Sequence, residues 1–206
     1  MDYKNNKTRK SKLLLGIALA IFMICPNYYG QVKQKSLAVF PVGLNESVFS
    51  PEGFSLEDYA TKLQTDALKT DKRFSSNPFT RTHPSVARAL SEGSIKAQML
   101  VPPFTGKSEG EFRAVRIGRL MRAELAIASV IDSYDFDNAK NTAKGLILVE
   151  LYDVRLGKLI GSVAFSASGS GTDEISAAKK MVEALVGGAI PQALAILANP
   201  PKTGGG

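Results

Sequence analysis

Three stretches decide the fold: Glu124–Tyr134 (ELAIASVIDSY), Gly145–Val154 (GLILVELYDV) and Leu159–Ala167 (LIGSVAFSA). In the first, Leu125, Ile127, Ser129 and Ile131 recur at period two, the spacing of side chains on one face of a strand. The second is apolar on both faces until Glu150, as a strand with neighbours on either side requires. The third alternates again, with Leu159, Gly161, Val163, Phe165 and Ala167 on one side. Between them stand DFDNAKNT and LGK, both turn sequences. Connections this short can join only antiparallel neighbours, so the three stretches predict a meander.

Outward from the meander the chain turns helical. Upstream lies GEFRAVRIGRLMRA, where Ala114, Ile117, Leu120 and Met121 gather on about one third of a helix. Arg113, Arg116, Arg119 and Arg122 occupy the other side, a basic surface suited to an acidic partner or a membrane surface as well as to plain solvation. Downstream, Thr172 to Leu197 reads as a closing helix with a stripe of Ala178, Val182, Leu185 and Ala189. Ser170 or Thr172 is expected to cap it, and Gly187, Gly188 and Pro191 to kink or divide it.

Toward the amino terminus, SLAVFPV (Ser36–Val42) reads as a buried first strand. Ser55 then caps a helix carrying Leu56, Ala60, Leu63 and Ala67, and Asp71 to Phe74 leads into a second strand. Between Ser75 and Phe104 four prolines interrupt the pattern, with one short helix near Val86 to Glu92. The order β-α-(β)-α-α-β-β-β-α predicts an α/β (α+β) domain. Its mixed sheet would have four to five strands and a C-terminal antiparallel meander, with helices packed mainly on one face.

With 206 residues, 44% hydrophobic and 22% charged, the chain has a globular composition and no internal repeat. Its opening is different. A basic MDYKNNKTRKSK precedes the apolar run Leu13–Ile24, the pattern of a secretory signal. As a helix that run spans about 18 Å, short of a ~30 Å hydrocarbon core, which favours a signal peptide over a permanent anchor. The expected division is residues 1–30 as signal peptide or signal anchor, 31–198 as one α/β domain and 199–206 as a flexible tail. The expected location is the periplasm or cell envelope, with membrane association as one form of it. Cys25 is a candidate for lipidation, disfavoured because Ile24 stands where a small residue is needed.

The net charge of +7 divides into +4 for the first thirty residues and +3 for the rest. So mild an excess, without tryptophan or interleaved aromatics, argues against a nucleic-acid partner. One cysteine and one histidine cannot build a zinc site or a Cys–His pair, and His83, in THPS, reads as a surface residue. Asp132, Asp135 and Asp137 lack the glycine and distal glutamate of a calcium loop, and SASGSGTDE lacks the lysine of a phosphate loop. No metal, no cofactor and no catalytic group is therefore expected. The one enzymatic alternative pairs Asp132 with Glu150 as acid and base.

Four segments carry a resemblance: SLAVFPV, GRLMRAELAIASVI, LILVELYDVRLGKLIGS and the closing amphipathic helix. Together they resemble the α/β module of the amino-terminal domain of the Tol–Pal translocation protein. The same module occurs in the curli-secretion lipoprotein and in lipoproteins that regulate peptidoglycan synthases. Ala123-Glu124-Leu125 stands where such families step from helix to strand, and Asp153 to Gly157 stands at their Asp-x-x-x-Gly turn. The resemblance implies a non-catalytic, exported cell-envelope protein that binds or assembles with another envelope protein or with itself. The alternatives are a subunit of an oligomeric outer-membrane secretion or transport assembly, and an enzyme with an unrecognised carboxylate site.

Overall fold

A computed structural model describes residues 34–199; the expectations for the first thirty residues, Cys25 among them, and for residues 200–206 lie outside it. The elements run β1 (Lys35–Val39), β2 (Gly43–Leu44), α1 (Leu56–Thr70), β3 (Phe74–Pro78), α2 (Pro84–Ser91), β4 (Lys107–Ser108), β5 (Glu111–Phe112), α3 (Arg113–Leu120), β6 (Leu125–Asp137), β7 (Thr142–Asp153), β8 (Lys158–Ser170) and α4 (Glu174–Ala198). The main sheet has six strands in the order β3-β1-β6-β7-β8, with β2 continuing alongside β6 beyond β1. Parallel pairing joins β1 to β3 and β6, and antiparallel ladders form the β6-β7-β8 meander. This is the predicted mixed sheet, with β2 and the small β4–β5 hairpin added.

Alternation in β1 assigns the two faces. Leu37 and Val39 enter a larger core beneath the long helices α1 and α4, while Ala38 and Phe40 enter a smaller one. The smaller core lies under α2, α3 and a 3-10 turn at Ala97–Leu100, and covers the meander strands only where Ala126, Ala128 and Tyr152 lie. Past that point no helix among the described residues covers the outer face of the meander.

Local chemistry explains the element ends. Ser55 caps α1 by accepting from the Asp58 amide at 3.0 Å, as expected. At the head of α4 the cap is Asp173, not Ser170 or Thr172: its carboxylate accepts from the Ser176 amide at 2.7 Å, and the Ser176 hydroxyl accepts from the Asp173 amide. A carboxylate outcompetes a hydroxyl there because it also meets the positive end of the helix. α4 is not divided at Gly187, Gly188 or Pro191; helical backbone continues through all three. Eleven of its residues are buried, and that packing outweighs the hydrogen bond Pro191 forgoes.

The alternation of β8 also departs from expectation at its start. A register shift between β7 and β8 leaves Ile160 without a partner opposite, so Leu159 pairs with Tyr152 and turns outward, 41% exposed, while Ile160 packs toward the larger core.

Candidate functional site

Each arginine of the predicted basic surface has its own role. Arg113 begins α3 half-buried, and its guanidinium donates to the carbonyls of Val101 (3.1 Å) and Pro103 (2.8 Å), fastening the proline-rich segment. Arg116 pairs with Glu109 and donates to the Ser94 carbonyl at 2.7 Å. Arg119 pairs with Glu111 and donates to the Val154 carbonyl at 3.2 Å. Arg122 lies beyond the helix at φ +56°, exposed. The helix pattern thus divides into inward staples and one outward charge.

The carboxylates of the enzymatic alternative are not brought together. Glu150 stands opposite Ala128 in β6, and Asp132 is four residues further along, roughly 13 Å away at strand rise. Asp132 occupies a bulge and accepts from the Asn45 amide group at 2.8 Å. Glu150 accepts from the Gly106 amide at 2.8 Å and from the Tyr152 hydroxyl. Burial, then the Glu150 hydrogen bond, pushes the Tyr152 phenol well above its ordinary pKa, so it stays a donor. Tyr134 is raised likewise, by burial and then by Glu174; in Tyr59 the hydrogen bond to Glu183 leads. The Tyr59 and Tyr134 pairs tie α1 and β6 to α4, and Glu150 joins Tyr152 to the Gly106 amide. Among the described residues no three His, Cys, Asp or Glu side chains converge on a metal position. His83 is half-buried at the head of α2, with its Nδ1 enclosed and unpartnered.

What the structure does build is an open sheet face beside a long edge. Cross-strand rows run Ser133–Leu146–Ser166 and Asp135–Lys144–Ser168. They line a shallow concavity of ≈ 500 Å³ on the uncovered part of the meander. The outward positions of β8 are Ser162, Ala164, Ser166, Ser168 and Ser170, all exposed, while Val163 and Gly169 are buried. β8 is the terminal strand, so among the described residues nothing pairs with its outer edge. From Leu159 to Ser170 it carries no charge and no proline. The opposite edge, β3, is five residues long and ends in Pro78, which cannot donate to a further strand. The sequence reading missed these serines as a surface, although twelve successive uncharged residues with serine at alternate places were there to be read.

No family model matches the chain, and none of the curated proteins matches it. Among solved structures, the hypothetical protein CT253 from Chlamydia trachomatis is similar, with a TM-score of 0.53 and 13% identity over 80% of this chain and 95% of that one. Looser likenesses include the PelC dodecamer from Paraburkholderia phytofirmans (TM-score 0.45, 12% identity, 74% and 85% covered) and the LpoB C-terminal domain from Escherichia coli (TM-score 0.43, 15% identity, 72% and 92% covered). The finer likeness to the Tol–Pal translocation protein rests on the sequence segments alone. At 13% identity the likeness to the Chlamydia trachomatis structure shows a shared fold.

Proposed function

We propose that this chain is a non-catalytic, exported cell-envelope protein whose α/β domain binds a protein partner along β8, either another envelope protein or a second copy. The observation that carries the reading is the twelve-residue run of β8 without charge or proline, at a sheet edge that folded proteins otherwise protect. An added strand would make backbone hydrogen bonds of about 0.5–1.5 kcal/mol each, while the small outward side chains beside it let a partner approach closely. The amino-terminal pattern supports export, with residues 1–30 as signal peptide or signal anchor. Two copies meeting edge to edge would form a closed, two-fold pairing, the simplest form of the assembly alternative.

The test is a charge placed on the edge. Ser166 is exposed, so Ser166→Lys should leave the fold intact. The wild-type chain, extracted from its native envelope under mild conditions, is expected to sediment larger than one copy, and Ser166→Lys to sediment as a monomer. A wild-type chain that is already monomeric, or a variant that sediments unchanged, would contradict the reading.

A further inference from the structure

One end of the sheet gathers exposed basic side chains from four separate segments. The Lys35 amide donates to the Arg73 carbonyl and the Gln34 side chain to the Lys72 carbonyl (2.6 Å), which sets the start of β1 beside the α1–β3 turn. The Glu124 amide donates to the Ser36 carbonyl at 3.0 Å, and the Val154 amide to the Glu124 carbonyl at 3.0 Å, bringing in the α3–β6 and β7–β8 turns. Lys35, Lys72, Arg122, Arg155 and Lys158 are all exposed here. Among the described residues none of the five has a carboxylate within ion-pair reach.

The acids at this end are already engaged. Asp71 holds Arg73, Glu111 holds Arg119, Glu124 accepts from the Ser36 amide, and Asp153 accepts from the Leu156 amide at 2.8 Å. The opposite end is the reverse: Asp132, Asp135, Asp137, Asp173 and Glu174 stand there against Lys140 and Lys144. The domain is therefore polarised along its strands, although its total charge is nearly balanced.

Charge alone would suit any polyanion; the tip of the β7–β8 turn narrows the choice. Leu156 is 68% exposed and Leu159 is 41% exposed, set among Arg155 and Lys158. Gly157, at φ +69°, makes the tight turn that carries Leu156, and the bulge at Ile160 turns Leu159 outward beside it. Apolar tips surrounded by Lys and Arg match the boundary between headgroups and acyl chains. The chain also enters the domain here: Gln34 lies ten residues after Ile24, the end of the apolar run Leu13–Ile24, a reach of roughly 35 Å at most. A chain held to a membrane on its amino-terminal side would turn this end toward it.

We infer that the end of the domain formed by Lys35, Lys72, Arg122, Arg155, Lys158 and the leucines of the β7–β8 turn docks on an anionic lipid surface. The strands then stand away from the membrane and β8 is presented to a partner.

The sequence contains no tryptophan, so an introduced indole reports alone. The full chain carrying Leu156→Trp is reconstituted with vesicles of phosphatidylcholine and with vesicles containing phosphatidylglycerol; Phe49→Trp, in the exposed loop toward the acidic end, is the comparison. The expected result is a blue shift for Leu156→Trp on the anionic vesicles only, reversed by raised ionic strength, with no shift for Phe49→Trp. Adding Arg155→Glu and Lys158→Glu is expected to abolish the shift, weakening docking at least about tenfold while circular dichroism stays unchanged. An equal spectrum on both vesicle types, or a shift at both positions, would overturn the inference. So would a Leu156→Trp indole that ignores vesicles but responds to a soluble acidic polypeptide, which would make this end a protein-binding surface.

Discussion

Gln64 and Ser129 are the two wholly buried polar side chains among the described residues, and they satisfy each other. The Gln64 amide donates to the Phe40 carbonyl at 2.9 Å, and the Ser129 hydroxyl donates to Gln64 Oε1 at 2.5 Å, tying α1 to β6 and to the end of β1. Replacing Gln64 with Leu leaves a carbonyl and a hydroxyl unpaired in an apolar interior, at an expected cost of about 2–3 kcal/mol. Adding Ser129→Ala removes one orphan and should recover about 1 kcal/mol, so a urea-denaturation double-mutant cycle would show clear non-additivity. This pair also limits what hydropathy can reveal. The stripe Leu56, Ala60, Leu63, Ala67 locates α1, yet the buried line is Leu56, Ala60, Gln64, Leu68. A glutamine serving the core looks polar in any hydropathy pattern.

At the scale of elements, α4 holds two adjacent glycines with opposite needs. A Cβ on Gly187 would meet nothing within 4 Å, whereas one on Gly188 would lie 2.1 Å from the Phe165 ring. Gly187→Ala should raise stability by about 0.5–1 kcal/mol through helix propensity and reduced unfolded-state freedom. Gly188→Ala should lower it by about 1–3 kcal/mol, because the ring packs between β8 and the helix and has to shift. Thermal melts of the two variants would move in opposite directions. The sequence marks both glycines as breakers, since composition carries no record of the ring that requires one of them. β8 shows the same limit: its alternation is legible, but the bulge at Ile160 that turns Leu159 outward depends on the register with β7.

For the whole molecule, the meander, the closing helix and the α/β class were legible because each rests on local periodicity. The parallel placement of β1 between β3 and β6 was not, because non-local pairing leaves no periodic trace. The arginine series was legible as a pattern but not in its roles, which depend on the carbonyls of Val101, Pro103, Ser94 and Val154 meeting it in space. The three phenol–glutamate pairs make a further global prediction. Their raised pKa values mean that the unfolded chain releases these protons first, so their stability contribution is complete below about pH 10 and is lost as pH rises past it. The melting temperature should fall between about pH 9 and 11, and Tyr152→Phe should make that fall shallower.

The central claim is that β8 is the working edge of an envelope protein. Its most direct measurement is site-specific photocrosslinking in intact cells, with the crosslinker at exposed Ser166 in β8 and, for comparison, at exposed Ser75 in β3. A discrete protein adduct in the envelope fraction from Ser166, with none from Ser75, is the predicted result. Adducts absent from Ser166, or a chain recovered from the cytosol, would contradict it.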